Sequence, residues 1–364
     1  MRKRIIHIIT ELDVGGTEKQ LLLMLPELQR THDQEIICLM GRGEIGKRLE
    51  KKGIPVHYID GTSNADVRIL LRLWKLLRNR KPDVVITYLI YADIVGRITA
   101  AFAGIKIVIE SHRSALFGSA WWHQVDRFTR FLVSHYVCQT EATKQLLHQT
   151  PRIPLHSITV IPNAVQVGSG SSHSSIREEL HIPSTDIVIA CVANLKPEKD
   201  IPLLLESFES LYSSHTTIHL LLVGEGPKRN ALLNQIERYS SKRNIHVLGL
   251  RNDVPQILSE SDIFVLPTQI EGMSNALLEA LAIGIPCITT DIPANKELIS
   301  PNQTGILFPV GNMQALLKAL KNLIDNPTYR RELCAAGKEY VQLHHGISTV
   351  TQKWNSLIQT LLTT

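Results

Sequence analysis

Short runs of apolar residues alternate along this chain with longer segments in which apolar residues recur every three or four positions. The first half contains such runs at 5–10, 34–40, 56–59, 83–88, 106–111, 135–140 and 158–162. The second half repeats the scheme at 187–193, 218–224, 245–249, 262–267, 286–290 and 305–308. Strands that alternate with helical segments in this way are typical of parallel sheets with crossover helices. The pattern therefore predicts an α/β protein with two doubly wound, Rossmann-like parallel-sheet domains.

A Gly/Ser-rich stretch separates the two halves. The segment QVGSGSSHSS at 166–175 has no apolar periodicity, so we interpret 166–178 as a flexible linker. This places one domain at 1–165 and the other at 179–345, which suits a chain of 364 residues, too long for a single hydrophobic core. Residues 346–364 are predicted to form a carboxyl-terminal helix that returns toward the first domain.

Composition narrows the class of protein. The five cysteines are spaced singly and without a CxxC pair, which argues against a zinc site or a disulfide framework. The basic amino terminus precedes an apolar run that Thr10 and Glu11 interrupt too early for a signal peptide. No stretch approaches the length of a membrane-spanning helix. We therefore expect a cytoplasmic protein that contacts the inner face of the membrane at most peripherally.

Positive charge is concentrated in the first half. Residues 1–165 hold 23 Lys and Arg against 15 Asp and Glu, although the whole chain has a net charge of only +5. Part of the excess lies in 68–81, where basic residues alternate with leucines and Trp74. Such a helix either presents a solvated basic face above a buried apolar one or lies on an anionic membrane. Nucleic-acid binding is not favoured, because no stacking aromatic residues are interleaved with these charges.

Candidate chemistry lies in loops that follow predicted strands. Open parallel sheets bind ligands beyond the carboxyl ends of their strands, so two such domains would enclose a cleft. The first loop contains Gly15 and Gly16, where the backbone can approach a ligand closely and the next helix can direct its amides at an anion. A plain tight turn is the alternative. The loop lacks the GxGxxG pattern of a nicotinamide dinucleotide site.

Two further loops belong to the second half. In 193–200, Lys196 and Lys199 could neutralise a diphosphate leaving group, unless they are ordinary surface lysines. In the turn that contains Gly224 and Gly226, a structural turn and a ligand-binding loop are equally consistent with the sequence.

The fourth loop carries the most chemistry. Glu271 and Glu279 are eight positions apart and bracket a glycine-containing helix start. Glu271 could accept hydrogen bonds from sugar hydroxyls, and Glu279 lies within reach of a ribose diol. The amides between them suit a phosphate or a sugar. The loop therefore predicts a polyhydroxylated, anionic ligand.

These motifs together resemble a known family. The run EGMSNALLEALAIGIPCITTDIPANKELI resembles the Glu-x7-Glu signature of retaining GT-B glycosyltransferases of family 4. LDVGGTEKQ resembles the amino-terminal Gly-Gly-x-Glu loop of that family, VIPNAV its Pro-Asn-Gly-Val and ANLKPEKD its Gly-Arg-Leu-x-x-x-Lys. VGEGP, HVLGLRNDV and SDIFVLPT are similar to its carboxyl-terminal half. The resemblance covers nearly the whole chain and implies a GT-B fold with a nucleotide-sugar site.

The resemblance also implies roles for individual residues. Glu279 would hold the donor ribose, Lys199 would bind the diphosphate close to Gly16, and His112 would lie near the reacting sugar. Without the family, a lone histidine in SHRS is more often structural. The residues implied to contact the donor are Gly15, Gly16, Asn194, Lys199, Gly224, Leu250, Arg251, Glu271, Gly272, Met273, Ser274, Asn275 and Glu279, and those implied to take part in catalysis are His112, Lys199 and Glu271.

One residue departs from the family pattern at a position that matters. Asn194 stands where the family usually has an arginine, so half of the cationic clamp on the leaving diphosphate is missing. Lys196 or Arg113 would have to replace it, or activity would fall. Ala164 replaces the glycine of Pro-Asn-Gly-Val, a milder change. The chain has no Asp-x-Asp pair, so we expect no metal and no cofactor, with amides and lysines neutralising the diphosphate.

The resulting expectation is a retaining hexosyltransferase that uses a nucleotide-diphosphate sugar, with UDP as the expected carrier. The acceptor would be a saccharide or a lipid-linked sugar in cell-surface polysaccharide or glycolipid synthesis. Same-face attack, assisted by the donor phosphate, would need no covalent nucleophile. A nucleotide-sugar epimerase on the same fold and a non-catalytic relative that binds nucleotide sugars are the alternatives.

Overall fold

The computed structural model describes residues 2–113, 120–149, 152–166 and 175–363, with backbone only for 120–123. The chain forms two compact units. One comprises Met1–Ala164 and Ile347–Thr364, and the other comprises Val165–Gly346.

Strands and helices alternate through both units. The strands are β1 Arg4–Ile9, β2 Asp33–Met40, β3 Val56–Gly61, β4 Val84–Tyr88, β5 Ile107–Ser111, β6 His135–Cys138, β7 Ile158–Val160, β8 Ile187–Val192, β9 Ile218–Val223, β10 Ile245–Gly249, β11 Ile263–Leu266, β12 Cys287–Thr290 and β13 Ile306–Phe308. The helices are α1 Gly16–Leu28, α2 Glu44–Lys51, α3 Arg68–Arg80, α4 Ile90–Phe102, α5 Ala120–Thr129, α6 Glu141–Gln149, α7 Ile176–Glu179, α8 Ile201–Tyr212, α9 Arg229–Ile236, α10 Val254–Ser259, α11 Asn275–Ile283, α12 Pro293–Lys296, α13 Met313–Asp325, α14 Pro327–His345 and α15 Ile347–Thr363.

Every strand in the described part of the first unit joins one parallel sheet in the order β3-β2-β1-β4-β5-β6-β7. Side chains alternate between the two faces of a strand, so Ile5 and Ile9 pack with α1 and α2, whereas Ile6 and Ile8 pack with α3 and α4. Both faces are covered by helices. This explains why the strands are continuous apolar runs rather than alternating ones.

The carboxyl-terminal helix α15 belongs to the first unit. Val350, Trp354 and Ile358 are buried in the core that α1 covers. The preceding helix α14 ends at His345, and its C-cap Gly346 has extended backbone angles (φ −58°, ψ 146°). The amide of Val165 donates to the carbonyl of His345 at 2.8 Å, so the two points where the chain enters and leaves the second unit lie side by side.

The second unit has a parallel sheet of the described strands in the order β10-β9-β8-β11-β12-β13. Helices α8, α9 and α13 cover one face, and α10 and α11 cover the other. The chain therefore leaves β8 and β11, which are neighbours, toward opposite faces. Strand order reverses at this point, and the loops that follow such a pair of strands are the usual ligand-binding site of an open α/β sheet.

The structure confirms the predicted α/β class and its two doubly wound parallel sheets, and each apolar run named above forms a strand. The proposed linker differs at its end. Its residues 167–174 lie outside the described part of the chain, but Ile176–Glu179 form α7. Ile176 is buried in the second core, and the Arg177 guanidinium contacts Asp262 at 2.8 Å. Because Ile176 is buried and Arg177 is paired with Asp262, residues 176–179 belong to the second unit rather than to a linker.

Candidate functional site

Lys199 and Glu271 meet at the switch point of the second sheet. The loop after β8 ends in a single 3-10 turn at Pro197–Lys199, and Glu271 lies in the loop after β11. The Lys199 ammonium and the Glu271 carboxylate form an ion pair, and only 17% and 11% of these side chains are exposed. Two groups that the sequence predicts to bind the donor are therefore in direct contact.

Hydrogen bonds between the two loops hold this pair in place. The Gln269 amide donates to the Glu198 carbonyl at 2.8 Å, and the Thr268 hydroxyl donates to the same carbonyl at 3.2 Å. The Gln269 side chain donates to Asp200 at 3.1 Å. The residues next to Lys199 and Glu271 are thus joined, so the two loops that carry these charges are held against each other.

The start of α11 is built to present amides. Ser274 is its N-cap, and its hydroxyl accepts from the Leu277 amide at 3.3 Å. Met273 and Ser274 are buried, and Asn275 is the first helical residue. Glu279 lies one turn further along and is half-buried. Because the first-turn amides of a helix have no intrahelical partner, such a terminus favours an anion or a hydroxyl-rich ligand.

Two glycines allow the loop after β9 to lie against the loop after β8. Gly224 has φ +138°, and a Cβ there would lie 2.0 Å from the Ala193 carbonyl oxygen. A Cβ on Gly226 would lie 2.6 Å from the Leu195 carbonyl oxygen. Leu195 and Glu225 are joined by a backbone hydrogen bond of 2.9 Å. The close approach of the two loops therefore explains both glycines, independently of any ligand contact that Gly224 makes.

Leu250 and Arg251 are both implied to contact the donor, and Leu250 is the more exposed of the two. Its side chain is 66% exposed. The Arg251 guanidinium makes hydrogen bonds of 2.7–2.9 Å with Asp253 and Glu179. These two carboxylates raise the pKa of Arg251 above its ordinary value. The guanidinium is thus held by the unit itself.

The departure from the family pattern lies on the surface. Asn194 and Lys196 are both exposed in the loop that carries Lys199. The Lys196 amide donates to the Asn194 carbonyl at 2.8 Å, which folds this part of the loop tightly. Lys196 therefore places a cation close to Asn194, the position where the family usually has an arginine.

In the first unit, Gly15 and Gly16 begin α1 as expected, but a carboxylate lies over them. Gly15 is the N-cap, and a Cβ built on it would lie 2.1 Å from a Glu18 carboxylate oxygen. Burial raises the pKa of Glu18, and the carboxylates of Glu11 and Asp13 add to this effect. Glycine at 15 makes room for Glu18 to fold back, a role that the sequence did not reveal.

His112 follows β5 and lies above a buried group of charges. Its Nε2 is 2.8 Å from Glu110, and only 12% and 2% of these side chains are exposed. Glu110 in turn contacts Arg97, which is completely buried, at 2.8 Å. The sequence drew attention to His112 alone, although Glu110 stands out as a charge within an apolar strand.

Arg113 is the other cation suggested as a substitute for the missing arginine. Its guanidinium donates to Asn163 at 2.8 Å and lies over the Tyr88 ring, 5.5 Å from the centroid. The Tyr88 hydroxyl is hydrogen-bonded to His7 Nδ1 at 2.9 Å, and His7 Nε2 is hydrogen-bonded to the side-chain oxygen of Gln34 at 2.8 Å. Arg113 is thus part of a hydrogen-bonded chain inside the first unit.

The described residues include neither a candidate membrane span nor a candidate metal site. None of the described helices combines the length and apolar character needed to cross a membrane. Within the same residues, no three or more His, Cys, Asp or Glu side chains cluster so that they could hold a metal ion.

Two family descriptions match consecutive parts of the chain. Residues 14–168 match Glycosyltransferase Family 4, and residues 172–340 match Glycosyl transferases group 1. The residues discussed in the second unit all lie within the latter match, and Gly15, Gly16 and His112 lie within the former.

Characterised relatives match along most of their length. The chain is 27% identical to the Escherichia coli UDP-Gal:alpha-D-GlcNAc-diphosphoundecaprenol alpha-1,3-galactosyltransferase, over 84% of this chain and 87% of that protein. It is 21% identical to the capsular polysaccharide biosynthesis glycosyltransferase CapM of Staphylococcus aureus, over 82% of each.

Solved structures share the fold. HepE from Anabaena, in complex with UDP and glucose, matches with a TM-score of 0.89 and 17% identity, over 99% of this chain and 100% of that one. Together with the family matches, these similarities show that the chain belongs to the group 1 glycosyltransferases, hexosyltransferases with the GT-B fold.

Proposed function

We propose that this enzyme transfers a hexose from a UDP-sugar to a saccharide or lipid-linked acceptor, with retention of anomeric configuration, during synthesis of a cell-surface polysaccharide or glycolipid. The observation that carries the proposal is the contact between Lys199 and Glu271 at the ends of neighbouring strands. It joins a cation suited to a diphosphate with a carboxylate suited to sugar hydroxyls.

The names of relatives support the choice of donor and acceptor. The Escherichia coli relative uses UDP-Gal and an acceptor linked to diphosphoundecaprenol, and HepE was solved with UDP and glucose. CapM acts in capsular polysaccharide biosynthesis. We therefore propose that this enzyme uses a uridine nucleotide sugar, transfers a hexose and acts on an acceptor of the saccharide or polyprenyl-diphosphate class.

In this proposal, donor binding is shared among the residues of the second unit. Glu279 accepts the ribose hydroxyls, Leu250 packs against the base, and Glu271 holds the hexose together with the amides at the start of α11. Lys199 meets the diphosphate. A ligand that brings phosphate charge to Lys199 competes with Glu271 for the ammonium, so donor binding rearranges this ion pair.

Lys196 supplies the second positive charge on the leaving diphosphate. It is exposed on the same loop as Lys199, whereas the Arg113 guanidinium is engaged by Asn163 and Tyr88. A cation that can approach the diphosphate as it departs stabilises the negative charge that develops on it. The chemistry then needs no metal and no cofactor, and we propose that the enzyme works without either.

The thermal unfolding of the protein with a panel of donors tests this assignment. A ligand that binds only the folded state at 100 times its Kd stabilises by about 2.7 kcal/mol. We expect UDP, UDP-glucose and UDP-galactose to raise the Tm and GDP-mannose to leave it unchanged. Protection by GDP-mannose alone would show that the proposed base is wrong.

Incubation with the donor alone separates transfer from epimerisation. A transferase with no acceptor leaves the sugar intact or releases it slowly by hydrolysis, whereas an epimerase converts the nucleotide sugar into its epimer. We expect slow hydrolysis without any change of sugar. A new nucleotide sugar would identify the enzyme as an epimerase instead.

We further propose that α3 contacts an anionic membrane, where a lipid-linked acceptor resides. Ile69, Leu73 and Leu77 bury one side of this helix, while Leu71 is 55% exposed beside exposed Lys75 and Arg78. The described residues of α3 include no acidic side chain. A face of this composition favours anionic lipid headgroups.

Helix α2 provides a matched control, because it packs on the opposite face of the same sheet and also exposes lysines. We expect Lys75→Glu with Arg78→Glu to weaken sedimentation with anionic vesicles by at least about tenfold at low salt, since each basic residue contributes about 1 kcal/mol. Lys47→Glu with Lys51→Glu should weaken it much less. Equal loss in both pairs would indicate non-specific charge attraction, and no binding by the wild type would refute the membrane contact.

A further inference from the structure

Glu110 is a buried charge that takes no part in the proposed binding of the donor. It points from β5 to the same side as His112, because alternate residues of a strand share a face. One of its oxygens contacts His112 Nε2 at 2.8 Å, and the other contacts Arg97 Nη1 at 2.8 Å. Both oxygens therefore have a defined partner.

The Arg97 side of this contact is fixed by α5. Arg97 contacts Asp126 at 2.9 Å and donates from Nε to the Thr129 hydroxyl at 3.0 Å. Asp126 also contacts Arg130 at 3.0 Å. Arginine remains protonated and only donates, so the oxygen of Glu110 that faces Arg97 must accept.

The Glu110 carboxyl is ionised in this setting. Burial alone would raise the pKa of Glu110, but the hydrogen bonds and charges of His112 and Arg97 outweigh burial and leave its pKa below the ordinary value. The neighbouring Asp93 responds oppositely. Burial, reinforced by the charge of Glu110, holds the pKa of Asp93 well above its ordinary value. Of these two buried carboxyls, Asp93 therefore holds a proton more readily than Glu110 does.

We propose that Glu110 is a positioning residue that holds His112 in the Nε2–H tautomer and in one ring orientation for sugar transfer. An ionised carboxylate only accepts, so the hydrogen between Glu110 and Nε2 belongs to the imidazole. In the neutral ring, Nδ1 is then the accepting nitrogen. The arrangement resembles the way a buried carboxylate orients a histidine in other enzymes. The inference rests on the proposed function and on the place near the reacting sugar that the family resemblance implies for His112.

Glu110→Gln is a sharp test because it reverses the tautomer with little change of shape. The new amide must direct its oxygen at Arg97, which only donates, and its NH₂ group therefore faces His112. Nε2 then has to accept, and the hydrogen moves to Nδ1. Nitrogen-15 NMR of the histidine-labelled protein reads this directly, with the His112 signals assigned by their loss in His112→Gln.

Kinetics provide the second readout. We expect Glu110→Gln to lower kcat by at least about tenfold, the lower range for a misplaced proton-transfer or hydrogen-bonding group, with a smaller change in KM. Asp126→Asn is the control, because it disturbs Arg97 from the other side and has no described contact with His112. We expect Asp126→Asn to show any loss of thermal stability that Glu110→Gln shows, but to keep kcat near the wild-type value.

A double variant decides whether Glu110 acts through His112. If it does, adding Glu110→Gln to His112→Gln lowers kcat no further than His112→Gln alone. An additive loss, or an unchanged Nε2–H tautomer in Glu110→Gln, would overturn the inference. A wild-type rate in His112→Gln would instead refute the proposed role of His112, and the positioning role with it. The NMR result does not depend on finding the right acceptor, so it remains informative even if no transfer is detected.

Discussion

Lys199 and Glu271 form an ion pair in the second unit, although they are 72 positions apart in the sequence. Each belongs to a loop that follows one of two adjacent strands, β8 and β11, and hydrogen bonds from Gln269 and Thr268 to the Glu198 carbonyl join the loops. The pair is mostly buried. This contact links the stability of the unit to the groups proposed to hold the diphosphate and the sugar.

Substitution of Lys199 should separate stability from catalysis. We expect Lys199→Met to lower kcat by about 100-fold, because it removes a charge that stabilises the departing diphosphate. It should also cost about 1–3 kcal/mol of unfolding free energy by leaving Glu271 partly buried without its partner. Adding Glu271→Gln should recover stability without recovering kcat, as measured by denaturant unfolding and steady-state kinetics. Recovery of both would show that the lysine is only structural.

Glu279 tests the nucleotide end of the site. We expect Glu279→Ala to raise the Kd for UDP by about tenfold, since two ribose hydroxyls lose a charged acceptor worth about 1.5–3 kcal/mol. Isothermal titration calorimetry with UDP measures this without any acceptor. Glu237→Ala, at an exposed position just after α9, is the control and should bind UDP normally. Equal affinities in both variants would remove Glu279 from the site.

Lys196 and Asn194 test the replacement of the missing arginine. We expect Lys196→Ala to lower kcat by about tenfold in the wild-type background, since a cation on the leaving group is lost. In an Asn194→Arg background the same change should have little effect, because the arginine then supplies that charge. Turnover of a UDP-sugar measures both. If Lys196→Ala is harmless in the wild type, another group has replaced the arginine.

His7 predicts a dependence of stability on pH. Burial lowers the pKa of His7 from 6.5 to about 4, with a small further contribution from the charge of Arg113. The unfolded chain therefore binds a proton between these values that the folded chain does not, so unfolding free energy falls as pH drops from 6.5 toward 4. His7 accounts for up to about 1.4 kcal/mol per pH unit there. Urea unfolding of His7→Gln across this range should show a shallower slope than the wild type, and an identical slope would refute the assignment.

Much of the fold is predictable because strands covered on both faces are continuous apolar runs. The apolar run at 187–193 identifies β8 without any tertiary information. The sequence also shows the glycine-containing loop motifs, but it does not show the contacts that explain those glycines. Gly224 is required by the Ala193 carbonyl, whereas Gly15 leaves room for the folded-back Glu18 carboxylate, and both contacts exist only in the folded chain.

The sequence does not show which distant residues contact each other. Nothing in the local sequence shows that Lys199 meets Glu271, or that Arg97 meets Glu110. A partial signal existed for the second pair, since Arg97 and Glu110 are charges within apolar segments and such residues require partners when buried. The resemblance drew attention to His112 but not to the carboxylate that orients it.

The anomeric configuration of the transferred sugar shows whether this enzyme transfers a hexose with retention. The wild-type enzyme would be incubated with UDP-glucose or UDP-galactose and a GlcNAc-diphosphate-polyprenol acceptor, and the anomeric proton of the transferred sugar in the product would be observed by NMR. Retaining transfer predicts an α-linked product from these α-linked donors. A β-linked product would contradict retention, and a donor that turns over without any glycosylated product from acceptors of either class would contradict the proposed transfer.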